Sequence, residues 1–304
     1  MAMKYIKSSV ISVALLLISI AAGAQALPFT ASEYGASSLG KAGADLVDTD
    51  NTAMAAFTNA AAITFSEDRL DSSVGYTLWT PTSSNVITAG ASFNLNKLGV
   101  AAAVHYGINP AYSTADGNGS VTGTFTPSDM QIAAGVAYKV LPILSIGANL
   151  GYATSTLSEK YSYGAFKADV FAMAKIAGLK ATLGVRNLGT SVTSASGDKF
   201  SLPSSVALGA GYGLTVAKKH SINVLVDADY YFSGAIAVAA GVEYGMNDFL
   251  FVRGGYRYGG ESPVPSYASV GLGVKKFGCK LNVAYLLGSQ QLGNTLSVGL
   301  GYAF

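Results

Sequence analysis

The last strand-length segment of the chain limits what it can fold into more than any other feature. Leu296, Val298, Leu300, Tyr302 and Phe304 fall on one face of an extended backbone, and Ser297, Gly299, Gly301 and Ala303 on the other. Side chains alternate between the faces of a strand with a period of two. One face is therefore apolar throughout, and the other is small and polar. The pattern ends on the terminal aromatic itself.

The same alternation recurs upstream. Leu281, Val283, Tyr285 and Leu287 oppose Lys280 and Asn282, and Val270, Leu272 and Val274 line the segment before. Ile222, Val224, Val226 and Tyr230 oppose Asn223, Asp227 and Asp229, while Ile236, Val238, Val242 and Tyr244 oppose Ala237, Gly241 and Glu243. Leu250, Val252, Tyr256 and Tyr258 oppose Arg253 and Arg257, and Ile132, Val136 and Tyr138 oppose Gln131, Gly135 and Lys139. Fourteen such segments begin near residues 69, 85, 98, 128, 143, 164, 179, 204, 220, 235, 248, 266, 278 and 294.

Composition decides what the apolar faces meet. Only 12% of residues are charged while 50% are hydrophobic, whereas a soluble domain carries about 25% charge. A soluble sandwich would also turn its charges outward, but here they sit opposite the apolar face. No internal stretch reaches the ~20 continuous apolar residues of a membrane helix. The spacing therefore predicts an all-β fold, a transmembrane antiparallel barrel of about fourteen strands with lipid outside and polar residues in the lumen. Tight turns are expected near Asn96, Pro142, Gly178, Lys219, Asn247 and Phe277, with longer polar connections at 108–127, 153–163, 188–203 and 259–265. Short periplasmic turns and long outer loops give this asymmetry, which places the chain in a bacterial outer membrane.

The N-terminus fits export. Lys4 and Lys7 precede an apolar run from Val10 to Ile20, and Ala22-Gly23-Ala24 offers a small-x-small cleavage pattern. Residues 1–24 are expected to be a signal peptide; cleavage after Ala26 also fits. Residues 25–67 lack the strand pattern, and Thr52–Ala62 has the composition of a short helix. A segment of that size before a barrel at 68–304 suits a hatch or plug inside the lumen, the alternative being a disordered periplasmic tail. Gly90, Gly99, Ala101, Ala103, Gly147 and Gly151 on inward faces leave room for it.

Ser37–Ala62 and the residues after it resemble a known family. Lys41-Ala42-Gly43, Asp48-Thr49-Asp50-Asn51 and Asn59-Ala60-Ala61 are similar to the hatch pattern of fatty-acid-transporter (FadL-like) barrels. With Tyr76-Thr77-Leu78-Trp79 following, the stretch looks like the PorV/PorQ branch of Bacteroidota outer-membrane proteins. The resemblance implies an accessory or binding subunit in type IX protein secretion, with a translocon and secreted substrates as partners. The alternative it implies is a FadL-like channel for hydrophobic small molecules. The hatch residues it picks out are Gly43, Asp48, Asn51 and Asn59; Trp79 is its candidate rim contact. Leu300, Tyr302 and Phe304 resemble the C-terminal signal read by the barrel assembly machinery.

Catalytic chemistry finds little support. The two histidines, His105 and His220, lack a framing motif, though Ser113 and Asp116 follow His105; a triad needs nucleophile, base and orienting group together. His220 is expected at a turn away from any pocket. One cysteine, Cys279, cannot form an internal disulfide or a thiolate zinc site. No enzyme activity and no cofactor are expected, and a net charge of +2 gives no field for nucleic acid. The inward charges Asp227, Asp229, Glu243, Arg253 and Arg257 form either a polar track for a solute or a salt-bridged wall that holds the plug. Glu243 and Arg253 flank one tight turn and are expected to lie close. The polar loops lean toward binding rather than capture of hydrophobic solutes.

Overall fold

The computed structural model describes residues 25–79, 84–217, 219–260, 262–288 and 294–304; the expected signal peptide lies outside them. Fourteen strands close into one antiparallel barrel. They are β1 (Leu70–Trp79), β2 (Ser84–Leu95), β3 (Leu98–Ile108), β6 (Ser128–Leu141), β7 (Leu144–Thr156), β8 (Ser162–Ile176) and β9 (Leu179–Gly189). The other half comprises β12 (Ser205–Val216), β13 (His220–Tyr231), β14 (Ile236–Met246), β15 (Leu250–Tyr258), β16 (Tyr267–Lys276), β17 (Cys279–Gly288) and β18 (Asn294–Ala303). Two small hairpins complete the set, β4 (Tyr112–Ala115) with β5 (Val121–Phe125) and β10 (Val192–Thr193) with β11 (Lys199–Phe200). Each barrel strand begins within two residues of its expected start. The hairpins were not expected, because their residues carry no apolar face.

Closure comes from β18 against β1, with Leu300 opposite Val74 and Leu296 opposite Leu78. Phe304 O accepts from Arg69 N and Leu70 N at 2.6 and 2.9 Å, which ties the last residue to the start of the first strand. A closed ring leaves no strand edge unpaired, as hydrocarbon surroundings demand. Outward side chains form a continuous apolar belt, for example Val74, Leu150, Leu183, Leu208, Leu272 and Leu300. Exposed tyrosines band it at both ends: Tyr138, Tyr212, Tyr244 and Tyr302 toward one mouth, Tyr76, Tyr106, Tyr230 and Tyr258 toward the other. A belt of this kind is stable only in lipid. Leu300 (64% exposed) and Phe304 (58%) belong to it.

The short turns gather at one mouth and the long connections at the other. Asn96, Asn247 and Phe277 take left-handed backbone in the short turns, at φ 67°, 56° and 54°. One irregularity breaks the wall: β8 and β9 shift register between Ala168 and Val170, leaving Arg186 and Asn187 opposite Asp169. Asn187 there has φ 53°, and its amide donates to Asp169 Oδ1 at 2.6 Å.

Inside the ring, residues 25–67 run along the inward faces of the strands. A 3-10 turn at Pro28–Ala31 leads to helix α1 (Ala36–Leu39), and a second 3-10 stretch covers Ala60–Phe65. The helix expected over 52–62 is not formed: residues 53–57 are turns. Local alanine propensity yields to the wall here, because Gly147 lets the backbone come so near that an added Cβ would sit 2.4 Å from Ala61 N. Gly241 does the same for the Lys41 carbonyl, at 2.6 Å.

Candidate functional site

Two unlike faces line the lumen. The first holds most of the buried charge and belongs to β8, β9 and β12–β17 with Asp71 of β1, and Leu39, Ala42, Leu46 and Val47 also pack there against Ala207, Leu225, Ala237 and Leu286. Asp227 Oδ2 accepts from the amides of Asp45 (2.7 Å) and Leu46 (2.8 Å), holding the backbone of residues 25–67 to β13. Arg257 on β15 donates from Nη1 to Glu33 Oε1 at 3.0 Å. Asp229 lies 3.6 Å from Arg186 and accepts from Ser205 Oγ at 2.9 Å. Arg253 Nε donates to Glu243 Oε2 at 2.5 Å, and its Nη1 to Asn282 Oδ1 at 2.7 Å. Lys280 reaches Asp71 Oδ1 at 2.6 Å, and the other Asp71 oxygen accepts from Thr52 N at 2.8 Å. Of the five inward charges singled out in the sequence, Asp227 and Arg257 engage the segment, Glu243 and Arg253 engage each other, and Asp229 engages Arg186 and Ser205 of the wall. Charges buried in this way need partners, because desolvation would otherwise exceed any gain.

The residues of the segment's own motif hold its shape. Lys41 Nζ donates to Asp48, both fully buried. Asp48 Oδ1 also accepts from Asp50 N (2.9 Å), and Oδ2 accepts from Asn51 Nδ2 (3.2 Å). Burial pushes the Asp48 carboxyl up, but Lys41 and Lys180 outweigh it and hold it well below the usual carboxylate range. Gly43 sits at φ 78°, where an added Cβ would fall 2.4 Å from Glu33 Cγ, so only glycine fits the turn. Asn59 caps the second 3-10 stretch, its Oδ1 accepting from Ala61 N at 2.9 Å. Its Nδ2 donates to Leu46 O (2.7 Å) and Thr182 Oγ1 (3.2 Å), so all its polar atoms are committed within the protein. Burial raises Glu33 to about 8 despite Arg257 beside it, and raises Asp45 as well.

The second face, on β2, β3, β6 and β7, is uncharged and mainly apolar, with Gln131 accepting from Tyr34 OH at 2.8 Å and Asn149 also buried. Phe29 stacks on His105 at 5.6 Å, His105 meets Tyr34 edge-on at 5.3 Å, and Tyr34 leans on Phe57 at 4.5 Å. Below them Met54, Ala56, Ala60 and Ile63 pack against Ala101, Ala103, Ala133 and Ala137. Above them Leu27 packs among Ala153, Ala165, Val192 and Leu202. The loops overhead are less polar than their sequence suggests: Tyr112 and Phe125 pair at 5.8 Å, Tyr112 OH donates to Leu157 O at 2.8 Å, and Tyr161 stacks with Tyr163 at 6.4 Å. Aromatic and small apolar side chains therefore run from Tyr163 and Leu27 to Ile63.

No triad is assembled among the described residues. His105 is 4% exposed with Nδ1 unpartnered, and Asp116 accepts from Asn118 N and Ser120 N, closing its own turn at 2.9 Å each. His220, expected away from any pocket, instead borders a vestibule of about 520 Å³ at the short-turn mouth, shared with Asp50, Glu67, Lys180 and Lys275. Trp79 ends β1 opposite Ser84 and Thr295. Tyr302 and Phe304 remain on the lipid face with ring centroids 5.9 Å apart.

Lys280, read as inward from the sequence, and Lys41 of the hatch motif also belong to the charged face, and Glu33, Asp45, Asp71, Lys167, Asp169 and Arg186 complete it without having been singled out from the sequence. Lys167, Asp169 and Arg186 share the inward parity of their strands, a signal available wherever charge is this scarce.

No protein-family model matches the chain, and no curated relative does. Solved structures do. The toluene transporter TodX of Pseudomonas putida superposes with a TM-score of 0.63 at 12% identity, over 90% of this chain and 99% of that one. The Ralstonia pickettii toluene transporter TbuX gives 0.62 at 9% identity, over 90% and 98%. A Pseudomonas aeruginosa FadL homologue gives 0.56 at 11%, over 90% and 99%. The chain shares the FadL-like barrel fold of these proteins.

Proposed function

We propose that the protein is an outer-membrane channel for small hydrophobic molecules, in which residues 25–67 are the plug and the apolar face is the path. The short turns then face the periplasm and the long loops the outside. The observation that carries this reading is the apolar run from Tyr163 and Leu27 through Phe29, His105, Tyr34 and Phe57 to the alanines of β3 and β6. Apolar pockets with few polar groups are what hydrophobic ligands require. The path is closed in this conformation, and small side chains line it, so a modest shift of residues 26–34 opens it. Opposite, the charged face keeps the rest of the segment in place.

The solved structures of this fold include two toluene transporters, which favours a channel over the secretion-accessory role implied by the PorV/PorQ resemblance. A non-enzymatic role agrees with those neighbours.

The test is uptake of toluene into proteoliposomes. Ala103→Leu with Ala133→Leu puts bulk into the path and should slow uptake. Val136→Leu, on the lipid face, should leave it unchanged. Uptake no faster than in protein-free liposomes would sink the channel.

A further inference from the structure

The apolar face ends, at the short-turn mouth, in a second cavity of about 520 Å³ that is separate in character from the vestibule. Thr64, Phe65 and Ser66 of the segment form its floor, and Lys97, Lys139 and Lys175 reach into it from three different strands or turns. Lys139 Nζ lies 4.9 Å from the centre of the Phe65 ring, and Lys175 Nζ donates to Phe65 O at 3.2 Å. Asn94 and Asn96 add amide groups, with Pro142 and Ala177 as apolar lining, and no acidic side chain borders it. The neighbouring vestibule, in contrast, balances its lysines with Asp50, Glu67, Asp68 and Asp248. Lys175 and Ala177 are shared with that vestibule, but Lys97 and Lys139 face only the cleft, so its side of the mouth is net positive and an anion entering it is attracted.

We propose that this cleft binds a small organic anion, a carboxylate on an aromatic or similarly compact apolar body. The head group sits among Lys97, Lys139 and Lys175, and the apolar body lies over Phe65, Pro142 and Ala177. Lysine supplies mobile, hydrated point charges rather than the planar fork of arginine, so recognition is electrostatic and tolerant of head-group geometry. The inference rests on the channel reading for one thing only, the supply of solute along the apolar face. It adds that the periplasmic end selects for negative charge.

The experiment is calorimetric titration of the detergent-solubilised full chain with sodium benzoate, inorganic phosphate and toluene in parallel. Benzoate is expected to bind, to weaken at least about tenfold in Lys139→Gln/Lys175→Gln, and to weaken similarly when the Debye length is cut to ~3 Å in 1 M salt. Lys276→Gln, outside the cleft, should bind as the parent does. Benzoate heats that ignore both the double variant and the salt would overturn the proposal. So would phosphate binding as tightly as benzoate, which would make the cleft an inorganic-anion site. The salt series on the unaltered chain decides the matter even if the double variant does not fold. Benzoate binding without toluene uptake in liposomes sinks the channel and leaves the cleft; toluene uptake without benzoate binding does the reverse.

Discussion

The two faces of the lumen press on the same N-terminal segment in different ways. On the β12–β16 side, apolar contacts such as Leu46 and Val47 with Leu225 and Ala239 are joined by ion pairs and by carboxylates accepting backbone amides, such as Asp227 with Asp45 and Leu46. On the β3–β7 side, it is made mainly by alanines, glycines and rings, with polar links confined to places such as Asn149, whose Nδ2 donates to Ala55 O and Thr58 O at 3.2 Å each. Hydrogen bonds and ion pairs are directional and hold one register. Methyl-on-methyl contact is not directional and tolerates a slide. A segment anchored on one side and smooth on the other can stay in place while one flank yields.

The largest effect should come from the anchor within the segment itself. Lys41→Met removes the hydrogen-bonded cation of buried Asp48 and leaves only the more distant Lys180 to compensate it. Breaking one half of such a pair costs about 3–5 kcal/mol. The expected outcome is release of residues 25–67 at lower urea, read by protease cleavage within the segment, together with larger and noisier conductance in planar bilayers. An unchanged conductance would mean that the motif does not hold the segment.

A paired substitution then sets the faces against each other. Asp227→Ala strips the acceptor from two buried amides and is expected to destabilise docking by about 2–3 kcal/mol, whereas Asn149→Ala removes two long bonds to carbonyls and should cost about 1 kcal/mol. Equal losses from the two, measured as shifts in the same urea midpoint, would remove the distinction between an anchored and a smooth face.

The barrel was open to reading because lipid imposes the alternation directly on each strand: the apolar parity of Leu296–Phe304 needs no knowledge of what lies next to it. The lumen was not. Arg257 meets Glu33 from 224 residues away, and nothing local to either residue names the other. Asp227 and Asp229 were legible as inward charges, yet Asp227 turned out to hold backbone amides, which have no sequence signature. The hairpins at 112–125 and 192–200 were missed for the opposite reason, since they stand clear of lipid and carry no periodic apolar face. Alanine content suggested a helix over 52–62, where close approach to Gly90 and Gly147 allows only turns and a 3-10 stretch.

The smallest effect is expected at the junction of the two faces, and it is one of pH rather than of size. Glu33 sits between Phe29 of the smooth side and Arg257 of the anchored side, and burial raises its carboxyl to about 8 from an ordinary 4.5. A folded-state value above the unfolded one means that the folded chain holds the extra proton across that window. Its contribution to docking is therefore fully present below about 4.5 and is lost as pH rises through about 8. Arg257 stays charged throughout and recovers part of the loss once Glu33 ionises, which keeps the net change modest. The parent protein should release residues 25–67 at lower urea near pH 9 than near pH 5, whereas Glu33→Gln, which cannot ionise, should flatten that slope without moving the midpoint much at the acid end. A parent that grows firmer with rising pH, or a variant that keeps the full slope, would show Glu33 to be a fixed ion-pair partner of Arg257. The boundary of the anchored face would then move outward to include it.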